Sequence, residues 1–426
     1  MEPKKRELSL YVHIPFCKAK CNYCDFLSFG GCDYSRQKQY VSALCKEIDA
    51  FEFVAEEYTV KTIFFGGGTP SFMDASLVDQ ILKKIYEVFQ VDDTAEITLE
   101  GNPDSLTKDK LLQYRRAGIN RISIGLQSAN DELLRTLGRV HNYDQFIAAY
   151  SSARQAGFTN INVDLMSGLP GETKESYVRT LAKVVELQPE HISAYSLIVE
   201  EGTPLSENED LLELIPSEEV DRQLYAKTKI LLKNSGYNRY EISNYAKKGY
   251  ECRHNMVYWT GGEYLGFGLG ASSYLMIELD EEHCEKIRFR GVENMDEYIG
   301  RFSRCEGMKE DAYSDTYHYY EAMNLDEELV DEGNALLEFV RDFYKDLQFL
   351  KRKDEMEEFM FLGLRCTNGV SKQEFKKRFH VEIESVYGNI IQKYIERNLL
   401  LEQDGRIYLS DAGIDVSNVV MAEFML

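Results

Sequence analysis

Between residues 8 and 200 the chain repeats one pattern about six times, a short β-rich run followed by a helical stretch. The runs begin with an apolar stretch (Leu8, Leu10, Tyr11, Val12, Ile14) and continue at Lys61–Phe65, Glu96–Glu100, Arg121–Ile124, Asn160–Asp164 and His191–Leu197. Helical patterns at 106–117, 143–156 and 177–187 separate the later ones. Alternation of this kind implies a parallel sheet, because each strand must be carried back across a helix. Six units fall short of the eight of a full (β/α)8 barrel, so the expectation is α/β with a partial (β/α)6 barrel. In such barrels ligands collect at the C-terminal ends of the strands.

The first strand runs into Pro15, which removes a ladder donor and ends it. Three cysteines follow at C-x3-C-x2-C spacing, Cys17, Cys21 and Cys24. A closed zinc site or fully ligated cluster needs four protein ligands, and Asp25 and Phe26 supply no fourth sulfur. An iron left open in this way can bind a small molecule. The competing reading is a zinc knuckle completed by Cys32, Cys45 or His13, although zinc sites usually come as matched C-x2-C pairs.

Further polar or glycine-rich positions fall at the ends of successive strands. The turn Gly66-Gly67-Gly68-Thr69-Pro70-Ser71 lets backbone approach a ligand, but it lacks the Gly-Lys-Ser/Thr of a P-loop. Glu100 ends one strand, Gln127 follows Ile124-Gly125-Leu126, and Asp164 ends Ile161-Asn162-Val163. Each alone is commonly a helix cap. Several together after a three-cysteine loop point to one site.

The cysteine spacing resembles that of the radical S-adenosylmethionine (SAM) superfamily, where three cysteines hold a [4Fe-4S] cluster and SAM chelates the fourth iron. That resemblance implies a radical-SAM barrel in which the reduced cluster breaks a sulfonium C–S bond. Tyr-x-His-Ile-Pro-Phe-Cys, Gly-Gly-Gly-Thr-Pro-Ser, Gly125-Leu126-Gln127-Ser128 and the run Asn162–Gly171 narrow it to the branch of anaerobic coproporphyrinogen III oxidases. Carried over onto these motifs, Cys17, Cys21 and Cys24 ligate the cluster, and Tyr11 and Tyr23 flank the cluster and SAM. Gly67, Gly68 and Thr69 hold the methionine amine, while Glu100, Gln127, Arg139 and Asp164 contact the rest of SAM. For Arg139, in the short context Leu137-Gly138-Arg139-Val140-His141, a solvated side chain is the competing reading.

Within that branch the chain is more similar to heme chaperones of the HemW type than to the decarboxylase. The oxidase typically has a further cysteine two residues after the third ligand, where this chain has Phe26. It also carries a longer N-terminal segment than Met1–Arg6. The sequence His254-Asn255-Met256-Val257-Tyr258-Trp259 has the H-N-x-x-Y-W form typical of HemW. An imidazole can ligate heme iron, and Tyr258 and Trp259 offer flat faces to a porphyrin. The alternative is a hydrogen-bonded core histidine with two aromatic anchors. His283 and His318 lie in acidic stretches and are poorer candidates. The resemblance implies heme and acceptor hemoproteins as partners, with peripheral contact to membrane-bound acceptors within its scope. The runner-up is oxidative decarboxylation of coproporphyrinogen III.

Composition bounds the partners. A formal charge of −23 argues against a phosphate-backbone partner, and so against a radical-SAM enzyme acting on nucleic acid. The chain shows no membrane-length apolar run and no signal peptide, and its nine scattered cysteines suit a reducing cytoplasm. Four segments are expected: the barrel core over 1–200, a barrel extension with the histidine motif over 201–304, an acidic helical insertion over 305–355, and a C-terminal winged-helix-like unit over 356–426. Leu336, Leu337, Val340 and Phe343 recur at helical spacing in the insertion, beside the acidic runs Asp326-Glu327-Glu328 and Asp331-Glu332. The glycine-dense run Tyr264–Ser273 reads either as a flat ligand's backbone support or as a tight edge strand. Residues 351–426 hold 11 Lys and Arg against 13 Asp and Glu, so a winged helix here favours protein contact or a lid role over DNA.

Overall fold

The computed structural model describes residues 5–278, 284–303 and 335–425. His283, His318 and the acidic runs at 326–328 and 331–332 lie outside the described residues.

Six strands run parallel and neighbour one another in chain order: Arg6–Ile14, Tyr58–Gly67, Val91–Gly101, Arg121–Gln127, Ile161–Ser167 and His191–Ser196. They are called here the first to sixth barrel strands. Residues Val12, Phe65, Leu99, Ile122 and Ile161 align across the first five. Side chains alternate between the faces with period two. Leu8, Leu10, Val12 and Ile14 are buried in the hydrophobic core together with residues of the surrounding helices. The intervening Ser9, Tyr11 and His13 face the barrel interior, where Ser9 meets Thr62 and Tyr11 stacks on Phe64.

The helices begin where the sequence offers caps. Asp33, Asp74, Thr107, Asn142 and Thr173 each accept a backbone N–H from the first turn of the helix that follows. The six-unit partial barrel is therefore present, and Ile14 is the last residue of the first strand, immediately before Pro15.

Among the described residues the sheet continues beyond the barrel to twelve strands, with Asn244–Ala246 and Asn238–Arg239 added antiparallel along the sixth barrel strand. Tyr264–Phe267 pairs in parallel with the outer edge of the first strand, and Ser272–Glu278, Cys284–Arg290 and Lys345–Leu350 add antiparallel strands. Tyr264–Ser273 is thus interior to the sheet, which corrects the edge-strand reading. An open barrel leaves its first strand with an unpaired edge, and this segment covers it. In the stretch 335–355 the helix Ala335–Phe343 buries Leu336, Leu337 and Val340 in the main core, and the strand Lys345–Leu350 completes the sheet.

The C-terminal residues form a second core of their own. Helices Arg352–Gly363, Lys372–Phe379 and Ile383–Glu396 pack with a small sheet ordered Val370–Ser371, Arg406–Leu409, Leu400–Gln403. Three helices with a two-stranded wing is the winged-helix-like arrangement expected.

Candidate functional site

The cysteine loop leaves the first strand and lies across the C-terminal mouth of the barrel. Phe16–Cys17 forms a short strand paired with Phe29–Gly30, which fixes the start of the loop. Cys17 is buried, whereas Cys21 and Cys24 are partly exposed and joined by a turn in which the Cys24 N–H donates to the Cys21 carbonyl at 3.2 Å. Burial pushes the Cys24 thiol up, and the adjacent Cys21 and Cys17 add to the shift.

The glycine turn after the second strand is built against this loop. Gly67 has φ +106°, and a Cβ there would stand 2.5 Å from the His13 ring. A Cβ on Gly68 would lie 3.0 Å from Cys17 Sγ. Both positions need glycine, one for its backbone angle and the other for close approach to sulfur. The Gly68 and Thr69 N–H groups bond the Ile14 and Phe16 carbonyls at 2.8 Å, fastening the turn to the cysteine loop.

One hydrogen-bonded chain links two of the three sulfurs. Arg139 Nη1 donates to Cys21 Sγ at 3.6 Å, and its Nη2 donates to Asn102 Oδ1 at 2.6 Å and to the Gly125 carbonyl at 2.7 Å. Asn102 Nδ2 donates to Thr69 Oγ1 at 3.1 Å, and that hydroxyl lies 3.4 Å from Cys17 Sγ. With its lone pairs facing the amide, the hydroxyl is set to donate to the sulfur. Arg139 also hydrogen-bonds Tyr23, which packs beside Leu133, Leu137, Met166 and Leu169. The solvated-arginine reading of Arg139 is therefore not the one found. Sequence reasoning passed over Asn102, which reads as part of a Gly-Asn-Pro turn.

Glu100 and Gln127 lie at the ends of the third and fourth strands beside this chain, whereas Asp164 sits in the middle of the fifth, paired with Gly125, which corrects its reading as a strand-end residue. Desolvation inside the barrel, reinforced by the Asp164 charge, raises the Glu100 carboxyl to about 8. Desolvation likewise raises Asp164, against donors from Ser123 at 2.9 Å and Asn162 at 2.7 Å. Gln127 has φ +69° next to a register shift in the strand pairing. A non-glycine residue held there is strained, which is a common mark of ligand sites. Tyr11 donates to His13 Nδ1 at 3.1 Å, and His13 Nε2 donates to the Leu27 carbonyl at 2.8 Å.

These residues fit an iron–sulfur cluster better than a zinc knuckle. Both nitrogens of His13 are engaged, Cys45 faces Gln80 between two helices, and Cys32 packs against the main core. A cluster instead asks each thiolate for a different iron.

The histidine motif lies elsewhere. Its helix, Arg253–Thr260, starts inside the barrel, where the Arg253 and His254 N–H groups donate to the Glu96 carboxylate at 3.2 and 3.1 Å. Glu96 is in register with Thr62 and Ser9, five residues below the Ile14–Gly67 pair, or roughly 16 Å at about 3.3 Å per residue. His254 bonds Thr62 Oγ1 through Nδ1 at 2.8 Å and Tyr258 Oη through Nε2 at 2.9 Å, and it stacks on Phe64 at 5.0 Å. Burial and the Arg121 charge lower it to about 3. Both ring nitrogens are hydrogen-bonded within the protein, a geometry that matches the core-histidine alternative and offers no free nitrogen for a heme iron. Asn255, Tyr258 and Trp259 share its helix, and Trp259 lies 4.3 Å beneath the Arg365 guanidinium of the C-terminal unit. Arg121, buried at the barrel centre, is a second residue that the sequence did not single out.

The profile of the Radical SAM superfamily matches residues 11–184, and that of the HemN C-terminal domain matches residues 350–416. Over 98% of its length the chain is 32% identical to the heme chaperone HemW of Lactococcus lactis, covering 97% of that protein, and 31% identical to HemW of Bacillus subtilis, covering 99%. HemW of Escherichia coli is 39% identical over 62% of this chain and 69% of its own. Among solved structures, coproporphyrinogen III oxidase (HemN) from Escherichia coli superposes with a TM-score of 0.78 at 22% identity, over 99% of this chain and 90% of its own, which establishes the radical-SAM fold. No helix among the described residues is long and apolar enough to cross a membrane. Near full-length likeness at this level, together with the three-cysteine mouth and the C-terminal unit, places the chain in the HemW family of radical SAM proteins.

Proposed function

We propose that this protein binds heme and delivers it to acceptor hemoproteins, and that it carries a [4Fe-4S] cluster and SAM at the barrel mouth. In this reading Cys17, Cys21 and Cys24 hold the cluster, flanked by Tyr11 and Tyr23. Gly67, Gly68 and Thr69 receive the methionine amine, and Glu100, Gln127, Arg139 and Asp164 take the rest of SAM. A cluster bound there supplies single electrons to the sulfonium bond of SAM. The chain's own part is to aim hydrogen bonds at two sulfurs, to hold the glycine turn open for a small ligand, and to keep two buried carboxyls, Glu100 and Asp164, beside it.

The observation that carries the heme reading is the end-to-end likeness to HemW of Lactococcus lactis. The likeness to HemN, at 22% identity, concerns fold and carries no decarboxylation chemistry with it. The separating experiment is turnover. The anaerobically reconstituted protein is incubated with reductant, SAM and coproporphyrinogen III, and the porphyrins are resolved by chromatography beside an active oxidase. We expect no decarboxylated product. Many turnovers would make the protein an oxidase and end the chaperone reading.

A further inference from the structure

A cavity of about 630 Å³ opens where the C-terminal end of the Arg253–Thr260 helix, the added strands of the sheet and the Arg352–Gly363 helix meet. That volume is within the range of small-molecule sites. Six aromatic side chains line it, Tyr258, Trp259, Tyr264, Tyr274, Phe349 and Phe361. Flat apolar walls of this kind suit a planar ring system. The histidine motif is the partition between this cavity and the barrel. His254 bonds into the barrel through Thr62, while Tyr258 and Trp259 line the cavity.

The polar groups distinguish the three phenols. Tyr258 Oη is held by His254 Nε2 at 2.9 Å, and Tyr274 Oη accepts from Arg378 at 3.4 Å. Tyr264 is bonded to Arg288, whose guanidinium also pairs with Glu358 at 2.9 Å. Burial pushes the Tyr264 phenol up and the Arg288 guanidinium offsets only part of that, so the phenol keeps its proton until a ferric iron takes its place; a tyrosinate is a known kind of ligand for ferric heme iron. Trp259 Nε1 is buried without a hydrogen-bond partner among the described residues, an unused donor on the same walls. Asp354, Glu357 and Glu358 lie on the C-terminal-unit side, which bars carboxylate tails from that wall.

We propose that this cavity, and not the barrel mouth, is where the chain holds a ferric tetrapyrrole, with Tyr264 Oη as the iron ligand. The assignment rests on the heme reading above and adds a position and a ligand to it. On binding, the Tyr264 O–H bond breaks, its proton passes to solvent, an Fe–O bond forms in place of a water or chloride on the iron, and no electron is transferred.

The test is hemin titration of the full-length protein, followed by absorbance, in three forms. Tyr264→Phe keeps the ring and removes the ligand atom. Leu362→Trp fills the cavity, and melting curves confirm that each variant is folded. The expected result is saturable one-to-one binding to the parent, loss of the tyrosinate-to-iron charge-transfer band in Tyr264→Phe, and affinity weakened about tenfold or more in both variants. A parent that binds hemin while both folded variants bind it unchanged, with the same spectrum, overturns the cavity and leaves the heme reading standing. A parent with no saturable binding overturns both.

Discussion

Arg139 reaches Cys21 Sγ at 3.6 Å from a position 118 residues further along the chain. The same guanidinium bonds Asn102, which bonds Thr69, which touches Cys17. Hydrogen bonds to ligating sulfurs stabilise the added charge of a reduced cluster and so raise its potential. Asn102 is a positioning residue for both arms. Asn102→Ala should lower the cluster midpoint by roughly 40 mV, the one-electron equivalent of about 1 kcal/mol of lost hydrogen bonding. Redox titration of the reconstituted protein by electron paramagnetic resonance reads this directly, and an unchanged midpoint would remove Asn102 from the role.

The three-thiol assignment has a more drastic consequence. Cys21→Ser replaces a soft thiolate with a hydroxyl that iron–sulfur irons bind poorly. Iron and sulfide content after anaerobic reconstitution should fall to background. Full content in the variant would show that Cys21 is not a ligand.

His254 is tied into the barrel at both ring nitrogens, so its removal should be felt first in stability. His254→Ala takes one hydrogen-bond partner from the Thr62 hydroxyl, which keeps Ser9, and another from Tyr258 Oη, and opens a void against Phe64. The expected loss is about 3 kcal/mol by denaturant titration. A variant of unchanged stability with an altered heme spectrum would restore His254 as a ligand.

Glu100 links stability to pH. Its carboxyl is raised from 4.5 to about 8 by desolvation and by Asp164. Below pH 4.5 both folded and unfolded chains hold the proton, and this group opposes folding least. As pH rises through the window from 4.5 to 8, the unfolded chain releases the proton readily while the folded one must keep it or bury a charge, so stability falls; above 8 the contribution is flat. Glu100→Gln should remove this component, which thermal melts across pH 5–9 would show as a shallower decline. Parallel curves for the two proteins would contradict it.

The strand–helix alternation was legible because it is local: hydrophobic runs of strand length, capped helices and Pro15 all act within a few residues. The cysteine loop and the glycine turn were legible for the same reason. Asn102 was not, because its amide matters only once the third strand brings it between Thr69 and Arg139, 33 and 37 residues away. Tyr264–Phe267 pairs with a strand some 250 residues earlier, so nothing nearby distinguishes an interior strand from an edge. For His254 the residue type and spacing admitted two roles, and the bonds to Thr62 and Tyr258 that favour the core one come from residues far off or a turn away.

The central claim is that this protein hands heme on. The direct measurement is to load the full-length protein with hemin, remove the excess, add an apo-hemoprotein and follow the acceptor's absorbance spectrum, with free hemin and hemin-loaded albumin as controls. The account predicts transfer to the acceptor faster than from albumin, with loss of heme from the donor. Retention of heme, or transfer no faster than from albumin, would contradict it.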